Sequence, residues 1–164
     1  MKQIAVIGAG TMGLGIAHIM SQYGLKVNLI DLNEIILTKS KKIISTNIDR
    51  QIRKGVFNEK QKKIILSNIL FTKNLKKSIL NVELVVEAIS ENFILKKKLI
   101  KDLDTICRSN VIISSNTSSL SISSLADKTL YPERIIGMHF MNPVPIIPLV
   151  EIVVGNSTSE KTID

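Results

Sequence analysis

The sequence predicts an α/β fold with a doubly wound, mostly parallel sheet, and three observations carry that prediction. Short, nearly continuous apolar runs alternate with segments of helical periodicity along the 164-residue chain. The first run, Gln3 to Ile7, opens into Gly8-Ala9-Gly10-Thr11-Met12-Gly13, a G-x-G-x-x-G turn that leads straight into an amphipathic helical pattern. The next apolar run, Val27 to Ile30, closes on an acid, Asp31. Strand, glycine turn, helix, strand and acid in this order describe a Rossmann-type unit.

The remaining elements follow in order. The first helix covers Met12 to Tyr23, with Gly24 as its C-terminal stop. After strand two a long helical pattern runs from Asn33 or Glu34 to about Lys54, with an approximate stripe of Ile36, Leu37, Ile43, Ile44, Ile48 and Ile52, and Gly55 ends it. Asn58, followed three residues later by Gln61, reads as the cap of a shorter helix. This helix pair exceeds a minimal βαβ unit and is expected to project from the sheet. Strands are then expected at Ile69 to Thr72, Leu84 to Ala88, Val111 to Ser114, Ile135 to His139 and Leu149 to Val154, with a helix over Phe93 to Arg108. No repeat or linker divides the chain, so residues 1–164 read as one domain.

Composition narrows the function. Apolar content of 45% fits a globular protein, and no run approaches the roughly 20 apolar residues of a membrane span. Lys2 ahead of an apolar stretch resembles a signal peptide only until the glycines interrupt it. The lone Cys107 excludes an internal disulfide and points to a reducing, cytoplasmic setting. The net charge is +8. Its excess lies in clusters at Lys39 to Lys42, Lys60 to Lys63, Lys76-Lys77 and Lys96 to Lys98, on segments that read as solvated helix faces. Aromatic residues make up 4% and do not interleave with these clusters, so a nucleic-acid platform is not indicated. The same positive field suits a polyanionic small molecule, such as a nucleotide-bearing thioester.

The glycine turn points to a dinucleotide. Gly8 permits the tight turn, Gly10 lets the backbone approach a pyrophosphate, and Gly13 lets the helix pack on the strand. The helix N-terminus adds free N–H groups and partial positive charge. Asp31 stands where a carboxylate accepts the ribose hydroxyls and repels a 2′-phosphate. Gly8, Ala9, Gly10, Thr11, Met12, Gly13 and Asp31 are therefore candidate contacts for NAD; no metal site is read.

Three constellations follow in the second half. Val85-Val86-Glu87-Ala88-Ile89-Ser90-Glu91 is a buried strand running into acids and small residues, which is either an ordinary strand end or one wall of the dinucleotide crevice. Ser114 to Ser121 is a run of hydroxyls after a strand; it either caps the next helix or binds a polar substrate. His139 ends an apolar strand before Phe140-Met141-Asn142-Pro143, and Glu151 interrupts the apolar run Leu149 to Val154. A carboxylate buried in such a run needs a partner, and a histidine that exchanges protons near neutrality supplies one. His18, inside the first helix, reads as structural or surface.

These motifs together resemble the NAD-binding domain of the L-3-hydroxyacyl-CoA dehydrogenases. The likeness covers essentially the whole chain: the G-x-G-x-M-G-x-G-I-A turn, Asp31, V-V-E-A-I-x-E, S-N-T-S-S-L-S-I and H-F-x-N-P-V-P-x-x-x-L-V-E. The resemblance implies His139 as general acid/base held by Glu151, and Ser118 and Asn142 on the substrate oxygens and the nicotinamide end. It implies cofactor contacts from Asp31, Ala88, Glu91 and Lys96. It also implies a coenzyme A contact from Lys54, and puts Asn47 where the family has a contacting serine. The family continues into a helical domain that closes the acyl-CoA site and forms a dimer. That domain is expected to begin where this chain ends, at Asp164, with dimerisation expected only in its presence. The implied reaction interconverts a 3-hydroxyacyl-CoA, for example 3-hydroxybutyryl-CoA, and its 3-keto product. The alternatives are an NAD-binding module with little turnover, or a related hydroxy-acid dehydrogenase.

Overall fold

The computed structural model describes residues 2–164 as one seven-stranded sheet covered by helices. Strands β1 (Gln3–Ile7), β2 (Lys26–Ile30), β3 (Ile69–Thr72), β4 (Leu84–Glu87), β5 (Ile112–Ser115) and β6 (Ile135–Phe140) are parallel, in the order β3-β2-β1-β4-β5-β6. That order reverses direction between β1 and β4, as in doubly wound nucleotide-binding sheets. β7 (Val150–Val153) adds to β6 in antiparallel fashion and forms the far edge.

Side-chain alternation along each strand builds two cores. Ile4 and Val6 of β1 join Val27, Leu29 and Val86 under the helices α1 (Thr11–Gln22), α2 (Glu34–Arg53) and α3 (Glu59–Ser67). Ala5 and Ile7 point the other way, to Val85, Ile113 and Ile135, where α5 (Phe93–Ile106) contributes Ile100 and Leu103. Of three short helices, α6 (Ile122–Ala126) is the one the hydroxyl run could cap, whereas α4 (Leu75–Ser78) and α7 (Glu160–Ile163) were not foreseen, since segments of four residues show no helical period.

The helix pair after β2 is anchored in the core at its base. Leu37, Ile44 and Ile48 of α2 and Ile65 of α3 are buried with α1, while the distal turn at Arg53, Lys54 and Gly55 is exposed. The expected cap is present in full: the Asn58 side chain accepts the Gln61 N–H, and the Gln61 side chain accepts the Asn58 N–H, both at 2.9 Å. No helix of the described residues is long and apolar enough to cross a membrane.

One buried group departs from the sequence reading, and a second, His18, takes the structural role that was one of its two readings. Lys96, grouped with solvated lysines, is 1% exposed, because its turn of α5 faces the sheet rather than water. His18 is fully buried within α1, beside Gln22, whose amide also donates to Gln51; its Nδ1 has no hydrogen-bond partner among the described residues.

His18 makes stability pH-dependent. Burial pushes its imidazole down to about 4, opposed in part by the neighbouring Gln51. The unfolded chain takes up this proton below about 6.5, whereas the folded protein resists it until about 4. The contribution is therefore complete above pH 6.5 and is lost as pH falls toward 4, by about 3 kcal/mol in all. Urea unfolding of wild type and His18→Gln at pH 7 and pH 4.5 should show the variant losing clearly less stability on acidification. Equal losses would remove His18 from the acid response.

Candidate active site

A cleft of about 750 Å³ opens at the carboxyl ends of β1 and β4, where the strand order reverses. Its floor is the glycine turn. Gly8 has φ +98°, and a Cβ there would lie 2.5 Å from the Ala88 carbonyl oxygen. A Cβ on Gly13 would lie 1.7 Å from the Gly8 carbonyl oxygen. At Gly10 a Cβ would meet nothing within 4 Å, so this residue faces the open cleft. Gly10 is also the N-cap of α1, with no side chain satisfying the first-turn N–H groups. Uncapped donors at the positive end of a 12-residue helix suit a pyrophosphate.

Asp31 performs a local task as well. Its two carboxylate oxygens accept the Ala9 N–H at 2.8 Å and the Asn33 N–H at 2.9 Å. A carboxylate has about four acceptor positions, so both oxygens keep capacity for ribose hydroxyls. The residues present thus fit a dinucleotide. Ala88, Ile89 and Ser90 form the opposite wall, Leu32 and Ile36 flank Asp31, and the lining also includes Leu75, Leu95, Leu99, Lys98 and Asp102. The sequence reading missed these last five. Leu95 and Leu99, four apart on α5 and off its buried stripe of Ile100 and Leu103, were the available signal.

Further along the same edge of the sheet stands the candidate pair His139 and Glu151. The β6–β7 register sets His139 opposite Glu151, and His139 Nδ1 lies 2.7 Å from Glu151 Oε2. An ionised carboxylate only accepts, which places the ring proton on Nδ1 and leaves the Nε2 lone pair available. The expected burial of Glu151 is not found. Its side chain is 54% exposed and His139's is 22% exposed, because β7 is an edge strand whose residues all remain accessible. The far end of β6 is fixed by Asn116, whose side chain accepts the Phe140 N–H at 2.9 Å. Asn142 follows in the loop after β6 and is exposed; its bond to Pro143 is cis.

The hydroxyl run after β5 divides its labour. Ser121 caps α6, and Ser114 donates to the Val85 carbonyl. Ser115 donates to Glu87, and Thr117 and Ser119 donate to Glu91. Ser118 is exposed, and its hydroxyl has no partner among the described residues. Burial pushes the Glu91 carboxyl up, but hydrogen bonds from Thr117, Lys96 and Ser119 and the Lys96 charge outweigh it, leaving the group below the usual range. Glu87 is no wall of the cleft: it is fully buried and paired with Lys96 at 2.7 Å. Lys54 is exposed at the end of α2 and does not line the cleft; Asn47, on the same helix, accepts from Arg50 at 3.3 Å.

Residues 3–164 match the family described as 3-hydroxyacyl-CoA dehydrogenase, NAD binding domain. The chain belongs to this family. A probable 3-hydroxybutyryl-CoA dehydrogenase of Bacillus subtilis is 41% identical over 99% of the chain, which spans 56% of that relative. The mitochondrial hydroxyacyl-coenzyme A dehydrogenase of Sus scrofa is 42% identical over the whole chain, which spans 54% of it. Among solved structures, the (S)-3-hydroxybutyryl-CoA dehydrogenase of Ralstonia eutropha superposes with a TM-score of 0.95 at 40% identity, over 98% of this chain and 56% of its own. This 3-hydroxyacyl-CoA dehydrogenase domain therefore spans little more than half the length of these relatives, and its cofactor is NAD.

The glycines separate folding from binding. Gly13→Ala forces a Cβ onto a backbone oxygen that cannot swing aside, and should destabilise the domain by about 3 kcal/mol or more. Gly10→Ala should alter stability by no more than about 1 kcal/mol while weakening NAD at least tenfold, because its methyl enters the cleft. Urea denaturation and NAD titration of both variants check this; a stable Gly13→Ala would contradict the close approach.

Proposed function

We propose that this domain serves NAD-dependent oxidation of the 3-hydroxyl of an L-3-hydroxyacyl-CoA such as 3-hydroxybutyryl-CoA, or the reverse reduction of the 3-keto compound. The observation that carries the reading is the 2.7 Å His139–Glu151 pair at the carboxyl end of β6, on the sheet edge that also bears the dinucleotide cleft. NAD, when bound, accepts the hydride from C3. His139 Nε2 takes the hydroxyl proton as C3 is oxidised, and returns it in the reverse direction. Glu151 holds the ring in that tautomer and stabilises its protonated form. Ser118 and Asn142, both exposed beside this edge, orient the substrate oxygen and the nicotinamide end.

Gly8, Ala9, Gly10, Thr11, Met12 and Gly13 hold the pyrophosphate, Asp31 the adenosine ribose, and Ala88 and Glu91 the opposite wall. Lys54, with Asn47 on the same helix, meets the coenzyme A portion. Cys107 is buried, which pushes its thiol up and keeps it unreactive, in keeping with a cytoplasmic setting. Dimerisation and closure of the acyl site belong, in this reading, to the portion that the longer relatives carry beyond the matched region.

A second reading, an NAD-binding module with little turnover of its own, is favoured by the exposure of Val150, Ile152 and Val153 beside the His139–Glu151 pair. Water at the pair weakens its electrostatics and leaves the substrate unpositioned. Both readings are separated by one series of assays with acetoacetyl-CoA and NADH. Residues 1–164 alone should turn over at no more than about 5% of the rate of a chimera joined to the remaining part of the Bacillus subtilis relative, given the share of a barrier that positioning supplies. Within the chimera, His139→Gln should lower kcat by about 10²–10⁴ with NADH affinity nearly unchanged, and Glu151→Gln should be milder. A His139→Gln chimera with near wild-type kcat would overturn the acid/base role.

Asp31 selects the dinucleotide. Asp31→Ala should weaken NAD by about 1–2 kcal/mol and narrow the preference over NADP, which fluorescence titration with both dinucleotides reads directly. Equal affinity of wild type for the two would remove this role from Asp31.

A further inference from the structure

We propose that Ser40, a buried serine of α2 that touches no ligand, is a positioning residue for the pyrophosphate site: its hydroxyl fixes the peptide that leads into the N-terminus of α1. This rests on the reading of the cleft as an NAD site and adds to it a residue outside the glycine turn.

Ser40 occupies an unusual place in its helix. The buried positions of α2 are Leu37, Ser40, Ile44 and Ile48, spaced as one apolar stripe with a single polar member. A serine there forgoes the packing of a larger apolar side chain and needs a partner for its hydroxyl, being 1% exposed. Two carbonyl oxygens lie within reach: Ala9 at 2.6 Å and Ile36 at 2.7 Å. A hydroxyl carries one proton. The Ile36 carbonyl already accepts the Ser40 N–H by the repeat of the helix. The Ala9 carbonyl, in a residue 1% exposed, has no other partner among the described residues. The proton therefore serves Ala9, since a buried carbonyl left unpaired is the costlier alternative.

The consequence is geometric. The Ala9 N–H donates to Asp31 Oδ2 at 2.8 Å, so Ala9 is fastened on one side by the end of β2 and on the other by α2. The peptide joining Ala9 to Gly10 is trans, so holding its carbonyl toward Ser40 turns the Gly10 N–H to the opposite side. Gly10, Thr11 and Met12 line the cleft, whereas Ala9 and Ser40 do not. Gly10 is also the N-cap of α1, so its peptide plane sets how the first-turn donors of Thr11 and Met12 enter the cleft. Ser40 thus acts from behind the turn on donors that face its front.

The test separates ligands with phosphates from one without. NAD+ and ADP are titrated calorimetrically against the purified domain, and adenosine, which keeps the ribose for Asp31 but offers nothing to the turn, by NMR chemical shift. Ser40→Ala should weaken NAD+ and ADP about tenfold and Ser40→Cys, similar in size but a weak donor, about threefold, the scale of one hydrogen bond. Adenosine should stay within twofold in both. Amide exchange should accelerate at Gly10, Thr11 and Met12. Ser21→Ala is the control: Ser21 is also a 1% exposed helical serine, but its hydroxyl donates to the His18 carbonyl at 2.8 Å, away from the turn. It should leave all three ligands within twofold. If Ser40→Ala fails to fold, Ser40→Cys decides alone. A folded Ser40 variant that binds NAD+ as wild type does, or that loses adenosine as much as ADP, overturns the proposal, as does an equal loss of NAD+ in Ser21→Ala. If wild type binds neither NAD+ nor ADP, the NAD reading has failed, and exchange alone judges Ser40: unchanged amides at Gly10, Thr11 and Met12 would overturn its positioning role.

Discussion

Direct backbone-on-backbone contact at the glycine turn is the constraint on which the rest of the structure depends. Gly8 meets the Ala88 carbonyl and Gly13 meets the Gly8 carbonyl at distances that leave no room for a Cβ. Side chains elsewhere in the core can yield by changing rotamer, but peptide groups in contact cannot. The turn therefore sets the relative placement of β1, β4 and α1, and Asp31 adds β2 through its hydrogen bond to Ala9. The outcome is a helix N-terminus held over the strand ends with its donors unanswered. That is the feature of the fold to which a phosphate responds.

Charge within the domain organises geometry more than it adds stability. Removing one partner of a buried ion pair costs about 3–5 kcal/mol, whereas the intact pair contributes little net, so such pairs specify arrangement. Arg134 and Asp104 illustrate this at the start of β6. The guanidinium, 4% exposed, reaches the Asp104 carboxylate at 2.8 Å and the Asp104 carbonyl at 2.6 Å, which fastens β6 to α5. At the other end of the strand Asn116 receives the Phe140 N–H. With β6 held at both ends, its register against β7 follows, and that register alone brings His139 to Glu151.

Around the His139–Glu151 pair the exposed surface is apolar. Leu149, Val150, Ile152, Val153 and Val154 are all between 37% and 51% exposed, spread along the edge strand β7 and its flanks on both faces of the sheet. The relatives carry nearly as much chain again as this domain. A segment that covered the His139–Glu151 face of β7 would exclude water from the pair and strengthen their interaction in a lower dielectric.

Much of this was legible in the chain. The period of apolar residues located all seven strands within a residue or so, Asn58 and Gln61 announced their own capping box, and the glycine turn with Asp31 named the dinucleotide. These features are local: they depend on the conformation of a few consecutive residues, and composition reports it. What the sequence could not determine was which groups the folded protein removes from water. Lys96 read as one of a row of solvated lysines and is buried on two carboxylates, because α5 turns that side to the sheet. Glu151 sat in an apolar run and read as buried, yet β7 is an edge. Leu95 and Leu99 line the cleft, although their spacing says only that they share a face of α5. The sequence by itself determined the elements, the turn and the residue types at the site. Tertiary structure decided burial and partnership, because these depend on which elements meet across the sheet, and no segment of chain carries that information alone.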